Sequence, residues 1–198
     1  MRGPGVRHRS RLLLTLVVVA ALGVGLAACS GDDDPAAAPG HGNPTAPAEP
    51  LWNPCSALDV ALVERLFGAG TTEEDGTASQ PSCSFTPADD GAAVLDANYL
   101  LYPAGLDRAF QTFGVAQGET TQVTSPKIPV ADGARLVVDA REDALLVSGF
   151  VQNGDLIQTV NLAEPAPFQR ERAVTGMVEV LTRLSRAADE AGVGDTDD

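Results

Sequence analysis

The chain has 198 residues and a formal charge of −14, from 27 acidic residues against 13 lysines and arginines. So acidic a surface cannot neutralise phosphates, which excludes nucleic acid as a partner, and it offers no basic patch for anionic lipid. The length allows one domain with a real core once terminal segments are set aside.

Residues 1–28 have the three parts of an export signal. Arg2, Arg7, Arg9 and Arg11 give a charged start, Leu12 to Leu26 an apolar run broken by Thr15, and Ala27 and Ala28 small residues before a cut. Fifteen residues are short for a membrane span, which needs about 20. An uncleaved anchor and a plain secretory signal cut elsewhere are the alternatives. Leu26-Ala27-Ala28-Cys29 resembles the lipobox of bacterial lipoproteins, in which cleavage follows Ala28 and Cys29 carries a diacylglycerol. That resemblance implies a lipid-anchored protein on the extracytoplasmic face of the cell membrane. No arginine pair is adjacent, so the Sec route is expected. Without the leader's four arginines the formal charge falls from −14 to −18.

Residues 29–50 read as a disordered linker rich in Pro, Ala, Gly and Asp, because such a composition buries nothing. His41 and the acidic run Asp32, Asp33 and Asp34 fall inside it and read as solvated side chains. Removing Cys29 leaves Cys55 and Cys83 as an even pair in an oxidising compartment, which predicts one disulfide. Closing that loop would stabilise the fold by about 3–4 kcal/mol in the chain-entropy account. Two free buried thiols are the other reading.

The folded part is expected over residues 51–188. Trp52 either touches ligand or membrane, or packs over the cysteines and the first helix. Ser56 is the expected helix cap, with Asp59 three residues on. Leu58, Leu62, Leu66 and Phe67 then share one helical face, and Gly68 stops it. Residues 70–81, with Glu73, Glu74 and Asp75, read as an acidic loop. Ser82 to Thr86 reads as a strand. Asp90-Gly91 marks a turn, after which Ala93, Leu95, Ala97, Tyr99 and Leu101 alternate as the inner face of another strand. Leu106, Ala109, Phe110 and Phe113 predict a short amphipathic helix ended by Gly114. Thr121 to Val130 is extended but interrupted by Pro126 and Pro129, which suits an edge.

Three strands follow, over 134–140, 144–152 and 155–162. Asn153-Gly154 is the strongest hairpin signal. Folding about it sets Val151 opposite Leu156, Val147 opposite Val160 and Leu145 opposite Leu162, all toward the core. The other face carries Ser148, Thr159 and Asn161, with Phe150 opposite Ile157. That apolar pair either lies under a helix or forms a ligand or partner patch. Pro167 suits a first helical position, and Val174, Met177, Val178, Leu181 and Leu184 form a helical stripe in which Gly176 is a weak point. Residues 189–198 read as a disordered acidic tail.

Chemistry-bearing patterns are sparse. Residues 51–198 contain no histidine and one lysine, Lys127. Histidine-dependent triads and histidine metal sites are therefore excluded, and no catalytic residue, metal ligand or cofactor is assigned. Paired carboxylates remain open for hydrolysis of wall polymers, with Asp89/Asp90 and Glu142/Asp143 as candidates that fall at turns.

Asn53-Pro54-Cys55-Ser56-Ala57-Leu58, a helix, and then Ser82-Cys83-Ser84-Phe85 resemble an uncharacterised family of actinobacterial lipoproteins. Phe85 stands where that family often has tryptophan. The resemblance covers roughly residues 51–185. It implies a cell-envelope lipoprotein without an established activity. The expected fold is α+β, an antiparallel sheet of about five or six strands packed with three helices and one disulfide, and its element order resembles PsbP-like proteins. The expected role is a non-catalytic ligand-binding or protein-interaction module. Its partners would be the membrane, through lipid on Cys29, and an envelope protein, lipid or glycan. A carboxylate-based hydrolase is the alternative.

Overall fold

A computed structural model describes residues 52–194, apart from 69–70, 78–79, 90 and 115–117. Ala28, Cys29, the linker and residues 195–198 lie outside the described residues. A 3₁₀ turn (Pro54–Ala57) leads into α1 (Val60–Phe67), followed by β1 (Thr71–Thr77), β2 (Gln80–Pro87) and β3 (Val94–Leu101). Then come α2 (Gly105–Phe113), β4 (Thr121–Thr124), β5 (Gly133–Ala140), β6 (Ala144–Asn153), β7 (Leu156–Pro165) and α3 (Arg170–Glu190). The fold is α+β. Among the described residues the sheet has seven strands in the order β1-β2-β3-β7-β6-β5-β4, every pair antiparallel.

Seven strands replace the expected five or six. The main addition is β1, which has no apolar alternation and pairs with β2 through its backbone as an acidic edge. The 3₁₀ turn, α1 and α3 cover one sheet face and enclose the main core, which includes Leu66, Phe85, Leu95, Val147, Val160 and Leu181. The unit Ala46–Asp198 is compact by itself, and every core residue lies within it, so this segment carries its own core.

Asp59, not Ser56, caps α1, its carboxylate accepting the Leu62 N–H at 2.7 Å. Asn53 caps the preceding 3₁₀ turn. The helical stripe on α3 is buried as expected at Met177, Leu181 and Leu184, and Ala173, Gly176 and Val180 join it. α3 starts at Arg170, after Pro167, and runs to Glu190. Residues 189–194 do not all fray, because the Gly194 carbonyl accepts the Asp155 N–H at 2.9 Å. Leu101 lies at the strand end and is exposed.

The β6–β7 register differs from expectation by two residues. Asn153 pairs with Leu156, Val151 with Gln158 and Val147 with Leu162. The two-residue turn is therefore Gly154-Asp155, with Gly154 at φ 55°. Asn153 stays in the strand because its buried amide donates to the Val130 carbonyl at 3.0 Å and to Ser185 Oγ at 3.1 Å. A slip of two keeps every side chain on its face, whereas a slip of one would have turned the core outward.

Candidate functional site

The second sheet face is covered only in part by the described residues. α2 packs Leu106 and Ala109 on Val137, Phe150 and Ile157, and the Phe110 and Phe150 rings meet edge-on at 5.5 Å. Phe150 and Ile157 are 6% and 3% exposed. They therefore lie under a helix and do not form an exposed patch. Opposite Phe150 stands Thr159, and opposite Ile157 stands Gln152.

Ala104 gives α2 no side-chain cap. Gln152 on β6 supplies one instead, accepting the Leu106 N–H at 2.9 Å. Arg135 on β5 holds the same helix end through Asp107 at 2.6 Å and also donates to Ser125 Oγ at 3.0 Å. These contacts fix α2 over part of the face.

Beside α2 the face holds two cavities. The first, about 240 Å³, lies against α2 and is lined by Asn98, Leu100, Ala109, Phe150, Ile157, Thr159 and Asn161. The second, about 210 Å³, extends across Asp96, Leu146 and Ser148 toward Asp139. Asn161 lines both. Register places Asp96, Asn161 and Ser148 side by side on three successive strands, and Asn98 beside Thr159. Ser84 donates to Asp96, and Ser148 Oγ donates to Asn161 Oδ1 at 2.8 Å. Asn161 thus keeps its amide N–H groups directed to neither of these neighbours. Among the described residues, no lysine or arginine lines either cavity.

The acids at the second cavity do not form a hydrolytic pair. Asp139 accepts from Thr120 Oγ1 at 2.6 Å and from Arg141 Nε at 2.8 Å. The Thr120 bond first, then Arg141, hold its carboxyl below the usual aspartate range. Asp96 and Asp139 stand three strands apart, roughly 14 Å by strand spacing, against the ~5–9.5 Å of paired-carboxylate hydrolysis. Asp89, Glu142 and Asp143 are exposed in turns; Asp90 lies outside the described residues.

Cys55 and Cys83 are buried free thiols, which corrects the expected disulfide. Cys83 is 1% exposed in the core, and burial pushes its thiol up to about 12, with Asp96 adding to the effect. Cys55 sits in the 3₁₀ turn and gives its S–H to the Ser82 carbonyl at 3.3 Å. The two cysteine neighbourhoods meet, but through a thiol–carbonyl contact. Ligand atoms of Cys55, Glu73 and Asp75 also lie within 4.8 Å of one another. Acidic groups commonly gather at an exposed edge without a metal, and the trio reads as an acidic edge beside a buried thiol. Burial, then Asp75 and Asp59, raises the Glu73 carboxyl. Sequence reasoning missed this cluster because β1 read as a loop.

Trp52 is half-buried and meets the Tyr99 ring edge-on at 5.4 Å, so it packs on the sheet. Phe85 is wholly buried in the core. No protein-family profile, curated protein or solved structure matches the chain.

Proposed function

We propose that this chain is a lipoprotein anchored through Cys29 on the extracytoplasmic face of the cell membrane. Its domain acts there as a non-catalytic ligand-binding module. The leader and lipobox-like cysteine support the address. The observation that carries the binding role is a pair of cavities with Asn161 in both walls, on a sheet face that α2 covers only in part among the described residues. Each cavity falls below the ~300 Å³ at which small-molecule pockets begin, so the reading requires a ligand that lies along the face past Asn161 and uses both. Apolar side chains wall the site, while a few amides and hydroxyls converge on it, which is the usual make-up of a binding pocket.

Two measurements test this. Metabolic labelling with a clickable fatty acid should mark the full chain and fail with Cys29→Ser; equal labelling of both removes the anchor. Native mass spectrometry of residues 46–198, secreted by a related host, should show retained extra mass. A bare mass in the secreted protein and after incubation with envelope extract would move the role to protein interaction.

A further inference from the structure

We infer that the open sheet face takes an amphiphile with an uncharged, hydroxyl-rich head and a short apolar tail. This rests on the ligand-binding reading and names the class of ligand. The tail side is set by the first cavity, where Phe150, Ile157, Ala109 and the 44%-exposed Leu100 give an apolar wall at the margin of α2. The head side is set by Asn98, Thr159, Asn161 and Ser148, which run along the face between that wall and the second cavity.

Charge decides the head. Asp96 and Asp139 line the far cavity, and among the described residues neither cavity has a lysine or arginine. Arg141 is already bound to Asp139 and lines neither cavity. An anionic head would meet the Asp96 carboxylate with no lining cation to offset it, and like-charge juxtaposition rejects such ligands strongly. A polyol instead offers both donors and acceptors. Its hydroxyls can accept from the Asn161 amide and donate to Asp96, whose carboxylate has acceptor capacity beyond its bond from Ser84. Successive strands stand about 4.8 Å apart, so the row of Asp96, Asn161 and Ser148 extends over two strand spacings, a length that the hydroxyls of one sugar ring or two can cover.

The test is backbone amide chemical-shift mapping on isotopically labelled residues 46–198. Three probes are titrated below any micelle concentration: octyl glucoside, octanoate and glucose. Octyl glucoside is expected to shift amides of β3, β6, β7 and α2. Octanoate is expected to bind at least about tenfold more weakly, and Asn161→Leu to weaken octyl glucoside by about tenfold while the remaining spectrum stays folded. Octanoate binding as tightly at the same face would overturn the neutral head and leave the ligand-binding reading standing. Glucose binding as tightly as octyl glucoside would overturn the tail. If none of the three moves the face, both the inference and the binding role assigned to this face fail.

Discussion

Gly176 of α3 lies directly against Phe67 of α1: a Cβ at position 176 would come within 2.7 Å of Phe67 Cε1 and 3.0 Å of its Cζ. Phe67 is 4% exposed, so its ring has no free space to swing into. The glycine that costs the helix about 1 kcal/mol in propensity is what lets the two helices approach. Gly176→Ala should therefore destabilise the protein, by about 1–2 kcal/mol, despite alanine's better propensity. Urea unfolding checks this, and Phe67→Leu in the same chain should recover part of the loss. A more stable Gly176→Ala protein would show that the crossing has slack.

Val130 has φ 58°, a left-handed conformation that a β-branched residue rarely adopts. The neighbouring carbonyls explain why it persists. Ser185 donates to the Pro129 carbonyl at 3.2 Å and Asn153 to that of Val130 at 3.0 Å. Left-handed backbone costs an L-residue roughly 1–2 kcal/mol, while glycine loses about 0.5–1 kcal/mol through the unfolded chain. Val130→Gly should thus be stabilising by about 0.5–1 kcal/mol, read as a higher urea midpoint at unchanged slope. A lower midpoint would mean that the half-exposed valine contributes more by packing than it loses in strain.

Asp139 sets part of the acid response. Its folded carboxyl is depressed by Thr120 and Arg141, so its contribution is present above the unfolded aspartate range, near pH 4. It is lost as pH falls through the lower folded value. Asp139→Asn should be less stable than the parent at pH 7, with the gap narrowing toward pH 3. Equal gaps in urea midpoints at the two pH values would refute the linkage.

Cys83 should resist alkylation. A thiol pushed up to about 12 and 1% exposed has almost no thiolate at pH 8. Iodoacetamide should label it only after denaturation, and labelling of the native protein at a model-thiol rate would disprove the burial. Above about pH 8.5 the unfolded thiol ionises before the folded one, so this group's contribution to stability is lost as pH rises toward 12. Cys83→Ser places a hydroxyl in the same apolar site and should cost about 1–3 kcal/mol.

Legibility in the sequence followed apolar periodicity. The β6–β7 hairpin and the α3 stripe were readable because their alternations are long. The hairpin's register was misread by two because Asn153-Gly154 is a strong local turn signal, and only the tertiary bonds of Asn153 to Val130 and Ser185 draw it into the strand. β1 was invisible because Thr-Thr-Glu-Glu-Asp-Gly-Thr carries no apolar face, and its pairing is all backbone. The polar row of Ser148, Thr159 and Asn161 was legible as one face. Its extension to Asp96 and Asn98 was not, since β3 and β7 are far apart in the chain and their pairing has no local signal.

The strand order divides the sheet into two meanders, β1–β3 and β4–β7, each built from hairpins between chain neighbours. They join along one line only, where Leu95 meets Leu162 and Asp96 meets Asn161. Local hairpins close quickly and long-range pairings slowly, so this joint is expected to be the late, rate-setting event of folding. Neither meander alone carries the polar row, because Asp96 and Asn98 come from one half and Ser148, Thr159 and Asn161 from the other. A ligand spanning the joint would bind only the closed sheet. At a hundredfold excess over its Kd it would add about 2.7 kcal/mol against reopening. Occupancy would then act as a clasp, and the empty protein would be the form more open to proteolysis.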